Sequence, residues 1–211
     1  MSISAEQYEV LMRPLRGTRI AKREQGGKTL SYLESWDVRA HLIRVFGFGN
    51  FDAEVIEYHH VADRTYMGGK DKDREMVEVI YSARVMLHLR DAEQNPLATY
   101  TECAVGSTSG PASMLGEHHD NALKTAASDA LKRCAINLGS QFGLGLYDQG
   151  STREVVRSTV VVPEGYEKPD PEAEAIKNVE HAVGGQVIGE GNESEQITPS
   201  QEESQEAAAS A

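Results

Sequence analysis

Several kinds of chemistry are missing from this chain. It has two cysteines, Cys103 and Cys134, too few for a disulfide framework and short of the roughly four close ligands of a zinc module. Both lie in apolar patterns and read as small core residues. No apolar run approaches the ~20 residues of a membrane span, and the N-terminal MSISAEQYEV has neither the basic nor the apolar region of a signal peptide. A soluble cytoplasmic protein without membrane contact is therefore expected. There is no GxxxxGK phosphate loop, so nothing points to nucleotide hydrolysis, and GFGN at Gly47 to Asn50 falls between a helix and a strand instead of opening a helix.

Catalytic groups are equally scarce. The histidines pair as His59-His60 and His118-His119, and because adjacent residues on a strand or helix point apart, each pair is a poor two-ligand site. Asp71, Asp73, Glu75 and Glu78 could be drawn as a metal-dependent nuclease cluster, but Lys70, Lys72 and Arg74 interleave them, which reads as a mixed-charge loop. No nucleophile, base and orienting group stand out together. The expectation is a protein that is not an enzyme and that uses no metal and no cofactor.

The charge is divided unevenly along the 211 residues. Residues 1–150 carry 17 Lys+Arg against 20 Asp+Glu, and residues 151–211 carry 4 against 13, so net charges of −3 and −9 make up the total of −12. The acidity belongs mostly to the second part, and an anion site on the first part has to be a local patch. Two regions follow. Residues 1–150 can bury a core as one domain. Residues 151–211, with Pro163, Pro169, Pro171 and Pro199 and the ending ESEQITPSQEESQEAAASA, are too polar to repay the entropy of folding and read as a disordered acidic tail.

Ser4 and Gln7 form a capping-box pattern that opens a helix ended by Pro14. From Arg13 to Lys28 come six cations, Arg13, Arg16, Arg19, Lys22, Arg23 and Lys28, against Glu24 alone. This is the most basic window of the chain, and it reads either as a solvated basic loop or as a phosphate contact. Gly26 and Gly27 interrupt it, and a short strand follows in which Leu30 and Tyr32 project one way. Ser35 is a plausible N-cap for a helix whose Val38, Leu42, Val45 and Phe46 share a face and which Gly47 stops. Phe51 to Tyr58 reads as a strand, TYMGGKDKD as a loop. Next, Val77, Val79, Tyr81, Ala83, Val85, Leu87 and Leu89 alternate strictly with their neighbours, the period of a half-buried strand. Leu97 to Val105 returns as another, which makes an antiparallel meander, and GSTSGPASMLGE reads as a loop.

The densest signal is Asp120 to Leu146. There Leu123, Ala127, Ala130, Leu131, Cys134 and Leu138 recur at helical spacing as a core-facing stripe. Lys124, Ser128 and Lys132 fall at i, i+4 and i+8 on the polar side with Arg133 beside them. Taken alone, the stripe reads first as a solvated face, with Asp129 and Arg133 an ordinary surface ion pair.

In the order of its motifs the chain resembles the Rad fifty-two family of single-strand DNA annealing proteins, in a short form of the kind found in bacteria and their phages. The likeness runs from about Gln7 to Asp148 and rests on ALKTAASDALKRCAINLGSQFGLGLYD, RIAKREQGGKTLSYLES and FGFGNFDAEV. It implies an α+β domain, with a strongly curved antiparallel β-meander packed on a long α-helix, that assembles into a homo-oligomeric ring or helix. It implies further an outer groove that holds single-stranded DNA and anneals it to a complementary strand without ATP, in homologous recombination and double-strand break repair.

Carried over by motif, Lys132 and Arg133 lie at the groove base and clamp the backbone. Arg23 and Tyr32 line the groove, and Arg74 belongs to a second, outer DNA site. Lys124 and Ser128 join them through the helical stripe. The chain departs from the family at Ile136, where a further arginine is common, so that the groove would hold the backbone with fewer charges or recruit Arg19 or Lys22 instead. SGPASMLGEHHD also lacks the lysines that serve the outer site. The annealed duplex is the expected product. The acidic tail shows no clear likeness to the partner-binding region of eukaryotic members and reads as a solubilising segment or, alternatively, as a tether for a host single-strand-binding protein or recombinase. The alternatives are a metal-dependent DNA nuclease built on the Asp71 to Glu78 acids and an oligomeric scaffold that recruits partners through the tail.

Overall fold

A computed structural model describes residues 3–69, 72–148, 150–153 and 155–167. Helix α1 (Ala5–Met12) opens on the expected capping box: the Gln7 amide donates to the Ser4 hydroxyl, and the Gln7 side chain accepts from the Ser4 amide. After one 3-10 turn come β1 (Ala21–Gln25) and β2 (Lys28–Tyr32), then α2 (Ser35–Phe46), β3 (Phe51–Gly68), β4 (Arg74–Arg90), β5 (Pro96–Pro111) and α3 (Leu115–Ile136). Strands β3, β4 and β5 form an antiparallel meander, and α3 packs against β4 and β5. Strands β1 and β2 form a separate hairpin. This is the antiparallel sheet and long helix expected of the α+β class.

The hairpin was only half visible as a short strand. Gly26 and Gly27 have φ of +59° and +74°, the conformation of a two-residue turn whose twist matches its strands. The end of the basic window is therefore folded back on itself, with Lys22 and Arg23 on β1 and Lys28 at the start of β2, instead of running as a loop.

Two strands are longer than their sequence suggests. β3 continues past Tyr58 to Gly68, with register shifts between Val55 and Glu57 and between His60 and Ala62. Each bulge resets the alternation of faces, so a period-two pattern is lost even though pairing continues. β5 runs on through GSTSG to Pro111. Its loop-like composition serves packing instead. A Cβ on Gly106 would lie 2.4 Å from the Ala126 nitrogen and 2.5 Å from the Ala122 carbonyl oxygen, and one on Gly110 would lie 2.4 Å from the His118 ring.

The same close approach corrects the buried face of α3. Ala122, Ala126, Ala130, Leu131, Cys134 and Ala135 are buried, whereas Leu123 and Ala127 are only half-buried. Helix and sheet meet across small residues, so alanine, the less hydrophobic choice, takes the core side. Cys134 is buried, and desolvation pushes its thiol up to about 11. Cys103 is exposed, contrary to its apolar surroundings, because its register opposite Arg84 places it on the sheet face turned away from α3.

The main core joins Val38, Leu42 and Phe46 of α2, Val85, Leu87 and Leu89 of β4, Leu131 and Cys134 of α3, and Phe142. The α2 stripe and the β4 alternation are buried as their periods require. The compact unit extends beyond the boundary expected at 150, to Tyr166. Thr159 Oγ1 lies 2.5 Å from the Tyr8 hydroxyl, Tyr166 stacks edge-on against the Tyr8 ring at 4.6 Å, and Pro163 is buried. The first part of the expected tail is thus a strap on α1. Residues 168–211, most of the acidic tail, lie outside the described residues.

Candidate nucleic-acid interface

The β1–β2 hairpin pairs Ala21 with Tyr32 and Arg23 with Leu30, so these four share one face. That face is turned toward the C-terminal half of α3. The Arg23 guanidinium carbon lies 5.3 Å from the centroid of the Tyr32 ring, and the Lys132 ammonium lies 5.7 Å from it, both within cation–π range. A groove of about 290 Å³ runs between the two elements. Arg23, Tyr32, Lys132 and Arg133 line it together with Leu30, Val105, Ile136, Phe142, Leu146 and Tyr147.

Local contacts tune each cation. Lys132 pairs with Asp129 at 2.6 Å, one turn earlier on α3. The sequence had suggested Arg133 as the partner of Asp129; instead the Arg133 Nη1 donates to the Cys103 carbonyl oxygen at 3.1 Å, which anchors one end of an exposed guanidinium to β5. The groove thus presents three cations and one carboxylate around an aromatic ring, above an apolar floor that includes Ile136. Such a surface can hold a phosphate backbone while stacking bases, without reading sequence.

The other expected residues lie elsewhere. Lys124 pairs with Asp120 on an exposed part of α3, two turns, or roughly 12 Å, before Lys132, and the half-buried Ser128 lies between them on the helix. Neither lines the groove. Arg74 is exposed at the start of β4, roughly 30 Å along the strand from the segment beside the groove. Arg19 is not available as a substitute for the family's missing arginine. Its guanidinium donates to both Asp37 oxygens, at 2.7–3.1 Å, and to the backbone and side-chain oxygens of Gln141. It forms a largely buried structural ion pair that joins the start of the chain to α2 and to the turn after α3. Lys22 is exposed on β1.

Tyr147 and Val105 were not anticipated. Both are exposed at the groove, Tyr147 by 72%, and nothing in their local sequence signals it. Only the folding of the Gly139 and Gly143 turns, at φ of +95° and +89°, brings Tyr147 back over the hairpin side.

Among the described residues the nuclease alternative finds no cluster of these acids. Asp71 lies outside the described residues. Glu75 and Glu78 are three residues apart on a regularly paired strand and so face opposite ways, and Glu78 lies 3.8 Å from Arg64.

The sequence matches the family described as Rad52/22 family double-strand break repair protein over residues 4–163. No curated protein matches it. The match spans most of the chain, and the protein belongs to the Rad52/22 family, which places it in double-strand break repair and recombination.

Proposed function

We propose that the protein binds single-stranded DNA along the hairpin–α3 groove and anneals complementary strands without ATP, as a homo-oligomer. The observation that carries the reading is the convergence of Arg23, Tyr32, Lys132 and Arg133, drawn from a strand hairpin and a distant helix, on one groove. Lys132 and Arg133 hold phosphates, Arg23 closes the opposite wall, and Tyr32 braces both sides. Held this way the strand is extended and its bases remain free to find partners, which requires no base-edge reader and no bound nucleotide. Oligomerisation is supported by the apolar side chains that β3 leaves exposed, among them Val55, Ile56, Tyr58, Val61, Tyr66 and Met67, an arrangement unusual for a monomer. Arg74, Lys124 and Ser128 would act outside this groove, Arg74 in a second DNA contact, and the acidic tail would engage a partner protein.

The test is fluorescence anisotropy with labelled oligonucleotides across a salt series, coupled to an annealing assay without ATP. Lys132→Ala and Arg133→Ala are each expected to weaken binding and to lower the salt slope by about one, and to slow annealing. Unchanged affinity, slope and annealing in both variants would remove the groove from the function.

A further inference from the structure

The two histidine pairs, each unsuited to a metal by itself, contribute one member each to a single cluster. His60 on β3 and His119 on α3 meet around Asp63, and their ligand atoms lie within 4.8 Å of one another. His60 Nε2 and Asp63 Oδ1 are 2.7 Å apart, and His119 Nε2 is 3.9 Å from Asp63 Oδ2.

The backbone explains the meeting. Residues three apart on a regular strand face opposite ways, but His60 pairs with Tyr81 and Asp63 with Val79 across the bulge that follows His60. Three steps on β3 thus match two on β4, and both side chains emerge on the face that α3 covers. The other histidines are directed away. His59 pairs with Ser82 on the opposite face, and buried His118 lies 3.1 Å from the Pro111 carbonyl oxygen through its Nε2.

The cluster also has an orienting group. The Tyr81 hydroxyl lies 3.0 Å from His119 Nδ1, so His119 can keep its proton on Nδ1, donate it to the phenol oxygen and leave the Nε2 lone pair toward Asp63. Ligating histidines are characteristically fixed in this way through their second nitrogen.

We propose that His60 Nε2, Asp63 and His119 Nε2 bind one divalent first-row transition-metal ion, of which zinc is the best match, with water completing the shell. Two imidazoles and one carboxylate suit a borderline ion; magnesium and calcium favour all-oxygen shells. Bonds of about 2.0 Å in a tetrahedral shell set ligand atoms about 3.3 Å apart, so the His60–Asp63 contact opens slightly and His119 closes in. All three side chains reach solvent, which gives the ion an entry path. Once bound, it ties the edge strand β3 to α3 just past the bulge.

The experiment uses the full-length chain without an affinity tag. Cobalt(II) absorption reports coordination, and zinc affinity is measured by competition with a chromophoric chelator. The native chain is expected to take up one ion per cluster and His59→Ala to behave like it. His60→Ala, Asp63→Asn and His119→Ala are expected to lose more than about 100-fold in affinity, and Tyr81→Phe about 10-fold. Circular dichroism checks folding, and His60→Gln, which preserves most of the volume of an exposed side chain, serves if His60→Ala is perturbed. The proposal is overturned if the native chain competes no better than these ligand variants, or if His59→Ala weakens binding as much as His60→Ala does.

Discussion

The Lys132 ammonium on α3 stands 5.7 Å from the centroid of the Tyr32 ring on the hairpin, which couples the two walls of the groove through an aromatic face. Arg23 approaches the same ring at 5.3 Å. The ring, and not the phenol oxygen, makes both contacts. Tyr32→Phe is therefore expected to retain single-strand affinity within about twofold, while Tyr32→Ala loses about tenfold, the lower end of what one aromatic stacking contact contributes. Anisotropy titrations of both variants at one salt concentration check this; equal losses in the two would place the role in the hydroxyl.

Asp129 is the carboxylate that a phosphate must displace from Lys132, at 2.6 Å. The pair is partly exposed, so it contributes about 1 kcal/mol at most. Removing the charge frees the ammonium and lowers repulsion of the backbone. Asp129→Asn is expected to raise single-strand affinity about fivefold and to steepen its salt dependence, measured in the same titrations. Weaker binding would mean that Asp129 positions Lys132 more than it neutralises it.

Much of the fold was legible because burial imposes a period. The strict alternation of β4 and the α2 stripe of Val38, Leu42, Val45 and Phe46 read directly, since each has one wet and one dry side. Where two backbones come into contact, the signal inverts: Gly106 and Gly110 looked like loop and were strand, and Ala122 and Ala126 replaced Leu123 and Ala127 in the core. The bulges in β3 erased a strand that the ladder preserves. In the groove, a basic window and a Lys-Arg pair were visible as local charge. That Arg19 belongs to a structural ion pair with Asp37, and Arg23 to a groove closed by α3, depends on contacts that only the fold makes, which local charge does not encode.

The inverted signal at Gly106 has a measurable consequence. Its backbone is in a conformation open to any residue, so space is the constraint: a methyl group there would meet helix backbone at 2.4–2.5 Å. Neither the Ala122 carbonyl nor the Ala126 amide can rotate away. Gly106→Ala is expected to push α3 off β5 and to destabilise the domain by about 1–3 kcal/mol, seen as a lower urea midpoint. Gly17→Ala, where nothing lies within 4 Å of the new methyl, is the control and should change the midpoint little. Equal midpoints in the two variants would refute the close-approach account of GSTSG.

His41 gives the fold a pH dependence of definite sign. It is buried on α2, 5.0 Å from the Phe142 ring centroid, with neither ring nitrogen hydrogen-bonded. Burial first, and then the nearby Arg19 charge, lower its pKa from 6.5 to about 4, against a smaller opposing pull from Asp37. Between those values the unfolded chain binds the proton and the folded chain does not. Stability is therefore complete above about pH 6.5 and is lost as pH falls toward 4, by about 2 kcal/mol after allowance for solvent screening. Urea midpoints of the native chain and His41→Leu, compared at pH 7, 5.5 and 4.5, isolate this contribution from the carboxylates, which both proteins share. The difference between the two curves should grow in favour of His41→Leu as the solution is acidified; parallel curves would show that His41 accepts its proton without cost in the folded state.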